Sequence, residues 1–274
     1  MAGGGGRAYL SAMFIARLDS RALIRVSGPE ARPFLHNLLT QDVEGLGDGD
    51  LRFGALLSAP GRLLFDLFLW GEGDAVVLDV AAAKRDVLMQ RLTMYRLRAK
   101  VEITADDRPV FACWPGVADG FLADPRTPLM GGRRLGGDHP TTADEADWHR
   151  HRLAVGVPET TWDAGDDKAY AIEADFDLLN GIDFAKGCFV GQETTSRMKR
   201  RGVIKNRMMP LDFDGPPPAP GAEVLNGERR AGEVLGGIDG SAMALLRLDR
   251  LDGDLTVDGR AVTARRPVWM PPEG

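Results

Sequence analysis

Between Lys186 and Gly202 the chain reads Lys-Gly-Cys-Phe-Val-Gly-Gln-Glu-Thr-Thr-Ser-Arg-Met-Lys-Arg-Arg-Gly. This run gathers a thiol, an amide, a carboxylate and five cations. Cys188, one of only two cysteines, stands between Gly187 and Gly191 and just before Gln192 and Glu193. Glycines this close to a thiol let the backbone take positive φ and let a ligand approach the main chain. A helix starting near Gln192 would turn its free N–H groups and positive dipole end toward Cys188 and favour the thiolate. A lone cysteine is by default a small packing residue; the flanking glycines and charges favour a reactive thiol here. Cys113, in the apolar run Val110-Phe111-Ala112-Cys113-Trp114, is expected to be buried and slow to react.

Arg197, Lys199, Arg200, Arg201, Lys205 and Arg207 fall in one short segment that contains no acid. Setting these six aside lowers the formal charge of the remainder from −6 to −12. Such a run is either a solvated helix face or an anion site beside the cysteine, and its arginines suit carboxylate or phosphate. Both readings stay open at this point. Asp66 lies within Leu63-Leu64-Phe65-Asp66-Leu67, with apolar residues on either side. Such a carboxylate is either an outward-facing surface residue or a functional acid in a cleft, and a run apolar on both faces, which suggests a strand covered on both sides, favours the cleft.

Other chemistries lack their residues. The sequence has no P-loop, G-x-G-x-x-G, H-E-x-x-H or G-x-S-x-G, so common nucleotide, dinucleotide, zinc-protease and esterase sites find no support. Two cysteines and four histidines show no metal-ligand spacing, and His149 and His151, two apart, do not share a helix face. No metal site and no disulfide framework are expected, and the cysteine usage suits a reducing cytoplasm. The net charge of −6 argues against a general nucleic-acid binder, and no apolar run approaches the ~20 residues of a membrane span.

The elements that position these residues follow from punctuation and periodicity. A glycine-rich segment over residues 1–12 reads as a disordered leader. Phe14–Leu18 and Ala22–Val26 read as strands, and Gly28-Pro29 opens a helix with the stripe Phe34, Leu35, Leu38 and Leu39. Leu51–Ser58, Arg62–Trp70 and Ala75–Val80, parted by Ala59-Pro60-Gly61 and Gly71-Glu72-Gly73-Asp74, read as an antiparallel meander. A helix over Ala81–Leu97 presents Val87, Leu88, Leu92 and Tyr95. Strands follow at Val101–Thr104 and Val110–Cys113, then loops with short strands over Asp119–Asp138, a helix over Thr142–Leu153 and an acidic loop at Asp163–Asp167. Beyond a proline-rich interruption at residues 215–220, Asn226-Gly227 and Asp258-Gly259 mark hairpins in a small barrel or sandwich of about six strands. The fold class is α+β with antiparallel sheets.

The octet Lys186-Gly187-Cys188-Phe189-Val190-Gly191-Gln192-Glu193 resembles the signature of the YgfZ-type folate-binding proteins. Asp177-Leu178-Leu179-Asn180-Gly181-Ile182-Asp183-Phe184 precedes it, and Arg197, Lys199, Arg201 and Gly202 follow, as in that family. Residues 21–29, Phe34-Leu35, Leu39-Thr40-Gln41-Asp42 and Gly61-Arg62-Leu63-Leu64-Phe65-Asp66 are similar to its N-terminal half. The resemblance implies a T-protein-like multidomain arrangement with packed helices around a central channel, closed by a C-terminal β-barrel. On that pattern residues 13–202 hold two interleaved subdomains, 13–50 with 108–202 and 51–107, and residues 203–274 form the barrel.

The resemblance also implies a folate-binding accessory protein that assembles or repairs iron–sulfur clusters in selected enzymes, a tRNA-modifying enzyme among them. Its partners would be client enzymes and cluster-assembly scaffold proteins, and its cofactor tetrahydrofolate or a derivative. Cys188 would be the reactive thiol, with Asp66, Lys186, Gly187, Gly191, Gln192, Glu193, Arg197 and Arg201 around the folate and the cations holding its glutamate tail. The alternative is a tetrahydrofolate-dependent aminomethyl transferase of T-protein type, with Asp66 and Glu193 moving protons. Asp66 matches a carboxylate that lies beside folate in that enzyme, and Phe65 replaces a second acid. Direct nucleic-acid binding through residues 197–207 is not expected, because the segment has no interleaved aromatics.

Overall fold

A computed structural model describes residues 13–163 and 168–272 of the chain. The expected leader lies outside the described residues, as do residues 164–167 of the acidic loop. The elements run β1 Phe14–Arg17, β2 Arg21–Ser27, α1 Ala31–Leu38, β3 Leu51–Leu57, β4 Leu63–Glu72, β5 Ala75–Ala81, α2 Arg85–Arg96, β6 Glu102–Asp106 and β7 Val110–Trp114. They continue with β8 Leu122–Ala123, β9 Gly132–Leu135, α3 Glu145–Val155, α4 Thr160–Asp163 and α5 Gln192–Arg201. The last strands are β10 Asn206–Asp212, β11 Glu223–Asn226, β12 Arg229–Ile238, β13 Ser241–Arg247, β14 Leu255–Val257 and β15 Arg260–Ala264.

β3, β4 and β5 form the expected meander within a five-stranded antiparallel sheet of order β3-β4-β5-β2-β6. One face packs Phe65, Leu67 and Leu69 of β4 against Leu35 and Leu39 of the α1 segment and Leu88 and Leu92 of α2. The opposite face turns Phe68 and Trp70 toward Ala112, Trp148, Phe176 and Met208 from the rest of the chain. β4 is therefore covered on both sides, and Asp66 shares the face of Phe68 and Trp70 by strand alternation. On α2 the buried stripe is narrower than periodicity suggests: Leu88 and Leu92 are buried, while Val87 and Tyr95 face solvent.

The N-terminal strands divide between two sheets. β1 alone crosses over to pair with β7 in a second sheet, β1-β7-β9-β8, whereas β2 enters the five-stranded sheet between β5 and β6. The turn at Asp19-Ser20, closed by Arg21 N–H donating to Leu18 O at 3.1 Å, lets neighbouring strands part into different sheets. Side-chain patterns report which face is buried but not which strand is the neighbour. α3 starts at Glu145 rather than Thr142 because Asp144 caps it: its carboxylate accepts from Asp147 N–H at 2.8 Å.

β10 to β15 close a six-stranded barrel in the order β10-β13-β12-β11-β14-β15. Asp258 and Gly259, at φ 50° and 78°, make the β14–β15 turn, the positive-φ pair that a two-residue hairpin requires. Residues 169–190 carry no regular helix or strand. They are stitched between units by Leu63 N–H to Ala169 O at 2.9 Å and Met208 N–H to Glu173 O at 2.8 Å. Among the described residues, no helix is long and apolar enough to cross a membrane.

Candidate functional site at the Cys188 loop

The loop that carries Cys188 is fixed by backbone-to-backbone contact. Gly191 caps the start of α5 at φ 81°, a left-handed value that only glycine takes without strain. A Cβ on Gly191 would stand 2.7 Å from Ser58 O and 2.9 Å from Gly61 Cα, so the loop lies directly on the β3–β4 turn. α5 starts at Gln192, as expected, with Gln192 N–H donating to Phe189 O at 3.2 Å and Thr195 Oγ1 to Gly191 O at 3.1 Å. Cys188 is exposed at this helix start, while Cys113 is buried and its thiol is pushed up by burial.

Lys186 anchors the other end of the loop. Its ammonium donates to Leu39 O at 2.7 Å and to His36 O, carbonyls at the C-terminal end of α1, where a cation complements the helix dipole. Its Nζ also lies 5.3 Å from the Phe189 ring centroid. Burial lowers the Lys186 pKa to about 8, against the opposing pull of Asp42 and Asp183. Asp183 Oδ1 accepts from the N–H groups of Ala185 and Lys186 at 2.8 and 3.2 Å. Beside the loop opens a cleft of about 460 Å³ lined by Gln41, Arg52, Phe53, Asn180, Asp183 and Phe184.

The six-cation segment divides in two. Arg207 is buried between Asp175 at 3.1 Å and Asp177 at 2.6 Å, and Lys199 reaches Asp177 at 3.5 Å. These two cations tie residues 175–177 to α5 and the barrel. Arg197, Arg200, Arg201 and Lys205 are exposed and form no ion pair among the described residues. Gly187 and Glu193 are exposed as well, and Gln192 is half-buried.

Asp66 belongs to a different environment. It is 2% exposed, and its Oδ1 accepts from Thr160 Oγ1 and Thr161 Oγ1, both at 3.0 Å. Its Oδ2 faces Arg21 at 3.6 Å. Around it lies a buried set that sequence reading missed. Arg21 bonds Asp79 at 2.6 Å and Glu159 at 3.0 Å. Arg133 bonds Asp79 at 2.7 Å, Arg126 bonds Asp124 at 2.7 Å, and Arg152 forks onto Asp163 with both contacts at 2.9 Å. Asp163, expected in a loop, is thus the buried end of α4. Asp79, inside the apolar strand β5, carried the same signal as Asp66; the arginines carried none.

The set tunes its members strongly. Burial opposes the charge on Glu159, but Arg21 and Arg152 outweigh it and hold this carboxyl down to about 2. Burial, then Arg152, pushes His149 down to about 4, so its ring is neutral and its Nδ1 accepts from Arg152 Nε at 2.9 Å. The ring stacks on Trp162 at 4.4 Å. Among the described residues no group of His, Cys, Asp and Glu is arranged to hold a metal ion.

Set against known proteins, the C-terminal beta-barrel domain of CAF17 matches residues 205–272. The mitochondrial iron–sulfur cluster assembly factor IBA57 of Mus musculus is 31% identical, covering 93% of this chain and 85% of its own. The Homo sapiens factor gives the same figures. The homologue from Pyricularia oryzae is 30% identical over 90% of this chain and 75% of its own. A crystal structure of the glycine cleavage aminomethyltransferase T from Bartonella henselae superposes with a TM-score of 0.74, covering 94% of this chain and 86% of that one at 17% identity. The fold is therefore T-protein-like, with mixed α/β units followed by the closed six-stranded barrel.

Proposed function

This chain belongs to the family of the iron–sulfur cluster assembly factors IBA57, and from that premise we propose that it is a folate-linked accessory factor in iron–sulfur cluster assembly or repair, acting on other proteins through Cys188. The observation that carries the reading is the exposed thiol at the start of α5, held between two fixed points, Lys186 on α1 and Gly191 on the β3–β4 turn. A side chain that needed only to fill space would not be exposed on so constrained a loop. A thiolate at a helix N-terminus can attack an electrophile or ligate iron. Cluster-assembly scaffolds and client enzymes, a tRNA-modifying enzyme among them, are the proposed partners. A reducing compartment such as the cytoplasm would keep the thiol free.

Reduced folate, in this reading, enters the cleft beside the loop. Its volume of about 460 Å³ lies within the usual range for small-ligand sites. Phe184, 40% exposed, offers apolar surface to a fused ring, and Asn180 and Gln41 bring amides to the rim. When bound there, folate would supply a one-carbon carrier on the Asp183–Phe184 side of the loop. The aminomethyl-transferase reading is weaker, because Asp66, its proposed proton carrier, is buried with Oδ1 already bonded to two threonines.

The test is complementation of a strain lacking this protein, together with thiol labelling. Iodoacetamide near neutral pH should label Cys188 in the native protein and Cys113 only after unfolding. Cys188→Ser should keep the fold yet fail to restore cluster-dependent enzyme activities. Full rescue by the serine variant would remove the thiol from the mechanism. Calorimetric titration should find tetrahydrofolate binding in the micromolar class (roughly −8 kcal/mol), and silence at saturating folate would remove the cofactor.

A further inference from the structure

Lys199, Arg207 and Arg247 are neutralised by Asp177, Asp175 and Asp249. Arg197, Arg200, Arg201 and Lys205, interleaved in sequence with Lys199 and Arg207, are exposed and form no ion pair among the described residues. Arg197 lies three and four residues from Arg200 and Arg201, spacings at which like charges on a helix repel. Glu193, one turn earlier, forms no ion pair with Arg197 among the described residues. This exposed end of α5 is thus locally cationic in a chain of net charge −6, and a ligand of opposite charge would relieve the repulsion.

The cationic face continues into a groove that mixes aliphatic and charged side chains. Past Gly202, Val203 is 74% exposed, and it joins Leu178, Ile204 and Leu248, with Lys205 and Arg247 among them, around a groove of about 740 Å³ between the end of α5 and the barrel. Aliphatic side chains set beside cations offer a ligand apolar and charged contacts together. Neither a folate glutamate tail nor a nucleic-acid backbone has a branched aliphatic side chain to place there. A protein segment that alternates acids with aliphatic side chains has both.

We propose that the exposed face of α5 from Arg197 to Lys205, with the groove beside Val203, is a docking surface for an acidic, leucine-bearing segment of a partner protein. The surface begins about one and a half turns past Gln192, on the helix that the Cys188 loop leads into, so it would hold the partner on the same element as the thiol. This identification of partner chemistry rests on the accessory-factor reading above.

The full-length protein is titrated by fluorescence anisotropy with a labelled peptide of repeated Glu-Glu-Leu units. Polyglutamate and a single-stranded RNA oligonucleotide of matched charge serve as the competing arms. The expected result is that the Glu-Glu-Leu peptide binds several-fold tighter than polyglutamate or RNA, and that its affinity falls as salt rises. The charge-reversed variant R197E/R201E should bind the peptide at least ~10-fold more weakly, and V203E should also weaken it. R197Q/R201Q provides a milder version should reversal disturb the fold, which a thermal melt reports. Unchanged affinity in these variants, or polyglutamate or RNA binding as tightly as the peptide, would overturn the proposal. The function reading fails separately: full rescue by Cys188→Ser with the peptide contrast intact leaves a docking surface without a thiol mechanism.

Discussion

Two regions use the same residue types in opposite ways. Around Asp79, four arginines and five carboxylates (Arg21, Arg126, Arg133 and Arg152 with Asp66, Asp79, Asp124, Glu159 and Asp163) are buried and paired with one another. Along α5, Arg197, Arg200 and Arg201 stand in solvent and form no ion pair among the described residues. A buried ion pair is costly to break because the survivor is left uncompensated in a low dielectric, while an exposed charge carries little folding energy. The first region therefore reports on architecture. The second is free to report on function, since evolution can keep a charge there only for what it meets.

The largest effect should come from breaking the buried set. Asp79→Asn removes the charge shared by Arg21 and Arg133 and should lower stability by about 3–5 kcal/mol in urea unfolding. A loss below ~1 kcal/mol would mean that water or neighbouring carboxylates compensate the arginines. Acid should weaken the same region next. His149 titrates near 4 in the folded chain against 6.5 ordinarily, so the unfolded state takes up the proton first. Its contribution is complete above pH 6.5 and is lost as pH falls through 4, up to roughly 3 kcal/mol. Glu159, held down to about 2 from 4.5, adds a second loss below pH 4.5. In His149→Gln the decline between pH 6.5 and 4 should flatten, whereas an unchanged slope would assign it elsewhere.

At the cysteine loop the effects should be smaller and separable from stability. Gly191→Ala places a Cβ 2.7 Å from Ser58 O at φ 81° and should cost about 1–3 kcal/mol. It should also change the alkylation rate of Cys188 by lifting the loop off the β3–β4 turn. An unaltered rate would show that the turn does not hold the thiol. Arg197→Gln with Arg201→Gln should be the mildest, within ~0.5 kcal/mol and tending to stabilise by easing repulsion. A clear destabilisation would make those arginines structural and erase the contrast between the regions.

Much of the fold was legible because local rules were enough. The meander β3–β5, the hairpin at Asp258-Gly259 and the helix start at Gln192 follow from turn chemistry and spacing between residues close in sequence. The burial of Asp66 was legible for a related reason, since an apolar run on both sides of an acid leaves it no exposed face. The parting of β1 and β2 into different sheets was not, because the two strands look alike and only pairing distinguishes them. The division of the cation run was equally hidden: Lys199 and Arg207 differ from Arg197 and Arg201 only in meeting Asp177 and Asp175, some twenty to thirty residues away.

The amino-acid order by itself determined the class of fold, the two glycines that shape the Cys188 loop and the contrast between an exposed and a buried cysteine, since each depends on backbone preference or hydrophobic pattern within a few residues. Tertiary structure alone decided which charges are paired. Arg21 meets Glu159 across 138 positions, and Lys186 meets Leu39 across 147. Coulomb attraction and hydrogen bonding act over a few ångströms of space, and sequence distance does not measure that space until the sheets, α4 and the barrel have closed around it.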